Sequence, residues 1–244
     1  MDGWIGYVIL ALAALAASTI AAVTGFGGAV ILLPFLTWVV GIKEAVPVLT
    51  VAQLVGNASR VWFNRKELVF PIIGWFALGG IPMAALGGYL FASAPLTALT
   101  RLLGVFLIIM AIVRRLAKDR FPNLPAPAFA GIGGISSLIS ALVGSVGPLM
   151  APFFLAHGLL KGSYIGTEAA CTVVMHVTKL LVYRKYSLLS VENILFGLAV
   201  GSVMILGSYL GKGILSRVSS KTFELLIEIN LIVAGILFIV SPPK

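Results

Sequence analysis

The chain has 244 residues, of which 60% are hydrophobic and 10% are charged, and it carries one cysteine and a net charge of +9. Apolar runs of about 18 or more residues recur along it, as in transmembrane helices, whereas a membrane β-barrel would show short alternating segments. The composition therefore predicts an all-α integral membrane protein with several spans. The single cysteine, Cys171, excludes a disulfide framework within the chain and a cysteine metal cluster.

The positive charge comes from 17 Lys and Arg residues against 8 Asp and Glu residues, and the basic ones lie mostly in short connections between apolar runs. This distribution is typical of loops on the cytoplasmic side of a membrane, so it gives no reason to expect nucleic acid as a partner. The first ten residues, MDGWIGYVIL, lack the basic start of a cleaved signal peptide and are interpreted as a retained membrane segment. We therefore expect a multi-pass protein of the cell's cytoplasmic (inner) membrane, surrounded by the lipid bilayer.

The first apolar stretch, residues 4–41, is too long for one ordinary crossing of about 20 residues. It is interrupted by Thr24-Gly25-Phe26-Gly27-Gly28, and clustered glycines weaken a helix and permit a tight bend. Two helical pieces joined at this break are predicted. A break inside the bilayer must be covered by protein or by a water-filled cavity. Further helices are predicted at about 45–64, 71–91 and 96–113.

A polar stripe runs along the second predicted helix. Its members step by four, three and four residues, which places them on one face. The same spacing recurs 119 residues later in another apolar run. The two sets are Gln53, Asn57, Arg60 and Asn64, and Thr172, His176, Lys179 and Tyr183.

The second part of the chain repeats the first. After a polar, proline-rich linker at 114–125, a break at Gly144–Pro148 matches the first one, and helices are predicted at about 163–183, 191–211 and 222–240. We therefore expect two homologous halves, 1–120 and 121–244, each with a glycine-broken, re-entrant segment and about three transmembrane helices. Loop charges do not separate inverted from parallel halves; the inverted arrangement is favoured because transporters so often use it.

Glycines, prolines and polar residues in an apolar background form a pattern that covers nearly the whole chain: Thr24–Gly28 with Pro34, Pro47–Asn57 with Arg65-Lys66, Gly144–Pro152, and Thr167–Lys185. In this pattern the chain resembles the TauE/SafE family of membrane permeases, the sulfite and organosulfonate exporters. Such membership implies a repeated bundle of about seven to nine membrane helices and transport of small sulfur-containing anions or carboxylates, without fixing the substrate.

An anion site must compensate for the lost hydration of its ligand, and fixed cations and exposed helix N-termini both do so. Arg60 and Lys179 supply the cations, and the breaks supply the N-termini. Alternatively, the two cations extend to the membrane surface, the stripe amides bond neighbouring helices, and the glycines only aid packing. The predicted substrate-binding residues are Gly25, Gly27, Gly28, Gln53, Asn57, Arg60, Gly144, Gly147, Thr172, His176 and Lys179.

Glu168 and His176 lie on the same helix face as Lys179 and are candidates for proton coupling, because an intramembrane carboxylate or imidazole can bind and release a proton. The competing interpretation is a neutralising charge pair of Glu168 with Lys179 or with His176.

The sequence thus predicts a secondary transporter, an exporter of small sulfur-containing anions such as sulfite or organosulfonates, with proton coupling as an option. The alternatives are an anion channel, or a permease for another small carboxylate or inorganic anion. No enzyme is expected, since HExxH, GxSxG and paired-Asp patterns are missing. An ATP-driven pump within this chain is not expected either, since the GxxxxGK[ST] motif is missing. A role as the membrane subunit of a larger complex is left open. No cofactor or metal is expected, and His157 is interpreted as a surface residue. Gly79–Gly88 and Gly207–Gly211 would serve equally as faces of a homodimer or as internal packing faces.

Overall fold

The computed structural model describes residues 3–93, 124–144 and 146–223, together with Leu225, Leu226 and Ile229. Eight α-helices lie wholly in these ranges, residues 220–223 are helical as well, and no strands occur there, which confirms the all-helical prediction. The predicted span at 96–113, the linker up to residue 123 and most of the span at 222–240 lie outside the described residues. The helices are α1 (Gly3–Thr24), α2 (Gly28–Val40), α3 (Ile42–Phe63), α4 (Phe70–Ser93), α5 (Ala128–Val143), α6 (Gly147–Ala156), α7 (Lys161–Lys185) and α8 (Val191–Arg217).

Four of these helices are long and apolar enough to cross a membrane: α1 from Trp4, α4, α7 and α8. Two shorter apolar stretches, Ile31–Val40 and Ala128–Leu142, lie in α2 and α5. The helix α3 carries the first polar stripe. It has the length of a span but is not among the four apolar helices.

Both helix breaks occur at the glycine clusters. The helix α1 ends at Thr24, and Gly25 (φ +86°) and Gly27 (φ +100°) then adopt left-handed backbone conformations that glycine reaches without a steric penalty. In the second half α5 ends at Val143, Gly144 has φ +87°, and α6 begins at Gly147. The helices α2 and α6 begin 119 residues apart, as do α3 and α7, so the spacing of the sequence pattern recurs in the helix boundaries.

The contacts between helices give their relative directions. The last turns of α3 lie against the first turns of α7, since Arg60 pairs with Glu168 and a Cβ on Gly166 would meet the Cβ of Asn64. These two helices therefore run in opposite directions. In contrast, α1 and α8 run in the same direction: Gly207 lies against Ser18, and Gly211 lies four residues further along each helix, against Ala22.

The described helices form two hydrophobic cores, and neither core belongs to one half of the sequence. The first core joins α1, α2 and α3 with the middle of α8, around residues such as Leu36, Val48 and Met204. The second core joins α4 with α5, α6 and α7, around residues such as Phe76 and Phe154. The helix after each stripe helix thus packs chiefly on the other half of the chain.

The glycines considered as dimer faces pack inside the chain. In α4, Gly79 and Gly87 lie against α5, and Gly88 lies against Val182 of α7. In α8, Gly207 and Gly211 lie against α1. Because small residues let helix backbones approach closely, these contacts account for the glycines without a second copy of the chain. A homodimer remains a prediction.

Candidate functional site

A cavity of about 40 Å³ lies where the two helix breaks meet α3 and α7. Residues of both breaks line the cavity. The two breaks also contact one another, since a Cβ on Gly147 would collide with the side chain of Phe26. The cavity is also lined by Glu168 and Ser140. Ten of the predicted binding residues line this cavity: Gly25, Gly27, Gly28, Gln53, Asn57, Arg60, Gly144, Gly147, Thr172 and His176.

Arg60 points into the protein and not toward a surface, and only 5% of it is exposed. Its Nη1 donates to the backbone oxygens of Ala21 at 3.0 Å and Gly25 at 2.8 Å, at the C-terminal end of α1. Its Nη2 donates to the side-chain oxygen of Asn57, one turn earlier on α3. A cation beside a helix C-terminus is electrostatically favourable, so Arg60 stabilises the end of α1 at the first break.

Arg60 also forms an ion pair with Glu168, with Nη1 and Oε2 3.3 Å apart and both side chains buried. The second carboxylate oxygen of Glu168 accepts a hydrogen bond of 3.0 Å from the hydroxyl of Thr172. The partner of Glu168 is therefore a cation from the other half of the chain, and not Lys179 or His176 as the helix spacing suggested. The pair crosses the boundary between the two cores.

Three polar atoms on the cavity wall have no hydrogen-bond partner: Gln53 Nε2, Asn57 Nδ2 and His176 Nδ1. Each of these side chains is more than nine-tenths buried. Because the side-chain oxygen of Asn57 accepts from Arg60, the NH₂ group of Asn57 points away from Arg60. An unpaired buried polar group costs about 1–3 kcal/mol, and a water molecule or a polar ligand in the cavity would supply the missing partners.

The half-helices add N-terminal backbone groups to the same wall. No side chain caps α2, and Gly27, Gly28 and Ala29 at its start line the cavity. No side chain caps α6 either, but its second residue is Pro148, which has no N–H to offer. The N-terminus of α2 is therefore the better of the two for an anion.

Lys179 is fully buried but does not line the cavity. Its ammonium donates to the backbone oxygen of Ser140 at 3.3 Å and to its hydroxyl at 3.2 Å, and Ser140 does line the cavity. In the part of the chain that the structure describes, no carboxylate forms an ion pair with it. Ser140 thus separates Lys179 from the cavity, so the charge of Lys179 affects the cavity without direct contact.

The two cations have equivalent places in the two halves. Lys179 follows Arg60 by 119 residues, and Ser140, which accepts from Lys179, follows Ala21, which accepts from Arg60, by the same number. Each cation therefore bonds the last turn of the helix that precedes the break in its own half. The stripe residues nearest the helix ends serve structure: Asn64 accepts a hydrogen bond from Lys212, and the hydroxyl of Tyr183 donates to Ala141.

The remaining histidine lies away from the cavity. Nδ1 of His157, which is partly buried just after α6, lies 2.6 Å from the backbone oxygen of Leu124. Among the described residues, no three His, Cys, Asp or Glu side chains are grouped so that they could hold a metal ion.

The family model described as Sulfite exporter TauE/SafE matches residues 10–238, nearly the whole chain. No curated protein and no solved structure matches the chain significantly. The chain belongs to the TauE/SafE family and is a multi-pass membrane protein of a transporter family.

Proposed function

We propose that this member of the TauE/SafE family is a secondary transporter that carries a small sulfur-containing oxyanion, such as sulfite or a short sulfonate, across the cytoplasmic membrane, in the direction of export. The observation that carries the proposal is the cavity wall with three unpartnered polar side-chain atoms beside a buried guanidinium and an uncapped helix N-terminus. These groups are the ones that replace the hydration shell of an anion.

The balance of charge in the described site favours an anion. Arg60 and Glu168 offset one another, while a protonated Lys179 has no acidic partner in the described part of the chain and makes the region positive. A buried cation in a membrane protein is costly, so its retention suits a function in which a negative ligand arrives. The cavity volume of about 40 Å³ holds roughly three water-sized groups, which suits a compact oxyanion better than one with a long tail.

We also propose that transport proceeds by movement of the two cores relative to one another, with the site between them. The opposite directions of α3 and α7, which hold equivalent places in the two halves, support an inverted relationship of the halves, the arrangement on which alternating access is commonly built. The ion pair of Arg60 and Glu168 lies at this boundary, and Phe26, from the first break, packs against Gly147 in the second core.

The experiment that tests the function is uptake into proteoliposomes of the purified protein. Sulfite, sulfoacetate and a carboxylate are each offered with and without a pH gradient. Arg60→Ala and Lys179→Ala are compared with the wild type, and Arg65→Ala is the matched control, since Arg65 is exposed and stacks on Trp62 outside the cavity.

We expect saturable uptake of the sulfur anions, loss of uptake in Arg60→Ala, reduced uptake in Lys179→Ala and wild-type uptake in Arg65→Ala. No uptake of any sulfur anion by the wild type would overturn the proposal. Ohmic single-channel currents in planar bilayers would replace the carrier by an anion channel.

A further inference from the structure

The guanidinium of Arg60 has no free hydrogen on Nη1 for a transported anion. That nitrogen carries two hydrogens, and three acceptors already surround it: the backbone oxygens of Ala21 and Gly25, and the carboxylate of Glu168. The two backbone oxygens are fixed by the end of α1. The carboxylate is also the most distant of the three, at 3.3 Å. It is the one acceptor that a side-chain movement can exchange for another oxyanion.

The carboxylate of Glu168 is held in a way that suits two protonation states. Its Oε1 accepts from the hydroxyl of Thr172 at 3.0 Å. A hydroxyl can donate to a carboxylate or accept from a carboxylic acid, so Thr172 remains a partner when Glu168 gains a proton and loses its attraction to Arg60. The side chain of Glu168 lines the same cavity as Gln53, Asn57 and His176, which carry the unpartnered atoms. The displaced carboxyl group therefore lies at the site that the anion enters.

We propose that Glu168 is a substitute ligand: in the empty site its carboxylate occupies the position on Arg60 that the transported oxyanion takes, so one proton binds to Glu168 for each anion bound. This inference rests on the proposed transport function and assigns its coupling to one residue. The proton on Glu168 removes the competing charge, and the anion restores the charge balance of Arg60. Proton and anion therefore bind cooperatively, as linkage between two sites requires.

The groups around Glu168 define what else titrates there. The helices α2, α5 and α6 have no titratable side chain, and the tyrosines of α1 and α4, Tyr7 and Tyr89, are exposed. Lys179 lies further along α7, where it bonds Ser140. The charged and titratable groups that face Glu168 are Arg60 of α3 and, on its own helix, Tyr164, Cys171 and His176.

The test measures binding to the purified wild-type protein in detergent, with methanesulfonate as the probe because it stays a monoanion from pH 5 to 8. Titration calorimetry in two buffers of different ionisation enthalpy counts the protons taken up per anion. We expect one proton per anion, and a Kd that rises about tenfold for each pH unit above the pH at which Glu168 loses its proton. Glu168→Gln should bind at every pH with no proton uptake. The matched control Glu192→Gln, an exposed acid at the start of α8, should behave like the wild type.

The outcomes distinguish a failure of the role of Glu168 from a failure of the proposed transport function. Binding by the wild type without proton uptake overturns the role of Glu168 and leaves the transport function standing. Proton uptake that persists in a folded Glu168→Gln also overturns it, and moves the coupling to His176. Absence of binding and of sulfur-anion uptake by the wild type overturns the proposed function itself. If Glu168→Gln does not fold, His176→Gln takes its place: one proton per bound anion in that variant supports the role of Glu168, and loss of the proton uptake overturns it.

Discussion

Leu49 holds in the first half of the chain the place that Glu168 holds 119 residues later in the second. Leu49 is buried in the first core, whereas Glu168 lines the cavity and pairs with Arg60. The two halves therefore supply a cation each but only one carboxylate between them in the described site. This difference leaves Lys179 without the acidic partner that Arg60 has, so the charges that the two halves contribute are unequal.

Removal of Arg60 alone should destabilise the protein more than removal of the whole ion pair. Arg60→Met leaves a buried carboxylate without a counter-charge, which costs about 3–5 kcal/mol, whereas apolar replacement of both members is often close to neutral. We expect Arg60→Met to lower the unfolding free energy in detergent, and Arg60→Met/Glu168→Leu to recover most of the loss. Additive losses in this double-mutant cycle would show that the two side chains do not interact.

Lys179→Met should preserve stability and weaken anion binding only partly. The substitution replaces a buried charge by an apolar chain of similar length, which removes the cost of keeping an ammonium out of water. Its charge acts on the cavity through Ser140 and without direct contact, so we expect an increase in Kd of about three- to tenfold. Binding isotherms beside Arg60→Met check this. Equal loss of binding in both variants would make Lys179 a direct ligand.

Gly25 and Gly144, a left-handed glycine from each break, should differ in their tolerance of a methyl group. A Cβ on Gly25 would overlap the ring of Tyr164, whereas a Cβ on Gly144 would meet only Leu49, at 3.8 Å. Gly144→Ala should therefore lower the free energy of unfolding only through the strain of a left-handed alanine, about 1–2 kcal/mol. Gly25→Ala adds a steric collision to the same strain. We expect a lower melting temperature for Gly25→Ala than for Gly144→Ala. The reverse order would contradict the packing of Tyr164 on the first break.

A cross-link between the two cores should stop transport reversibly. Asn64→Cys/Gly166→Cys joins α3 to α7 in a Cys171→Ser background, because the Cβ positions lie close enough for a disulfide after a small outward shift. We expect oxidation to abolish uptake and reduction to restore it.

The control for that cross-link is Gly56→Cys/Met204→Cys. A Cβ on Gly56 would lie 3.3 Å from that of Met204, so this disulfide joins α3 to α8 within the first core. Its oxidation should leave uptake unchanged. Unchanged uptake by the oxidised Asn64→Cys/Gly166→Cys protein would contradict a movement of one core against the other.

Local features of this protein were predictable from the sequence because they depend on local chemistry. Clustered glycines place the break after Thr24, and steps of four and three residues place Gln53, Asn57 and Arg60 on one face of α3. The pairing of Arg60 with Glu168 was not predictable in this way, since it joins residues 108 apart whose meeting depends on how α3 crosses α7.

The position of Lys179 shows the limit of face arguments. Helical spacing correctly places it on the side of α7 that carries Thr172 and His176, but a shared face does not specify depth along the helix axis. Its long side chain ends at Ser140, at the last turn of α5, and not in the cavity. The offset of 119 residues from Arg60 could have indicated this contact only once the bonding of Arg60 to Ala21 was known.

The exchange of α4 and α8 between the halves also determines how the chain can assemble. The first core needs α8, which is synthesised more than 120 residues after α3 ends, so the apolar faces of α1 and α3 must remain covered by lipid or by the insertion machinery until then. Neither half alone contains all the helices of either core. A half-length precursor would therefore have completed these cores only as a pair of chains that exchanged their fourth helices.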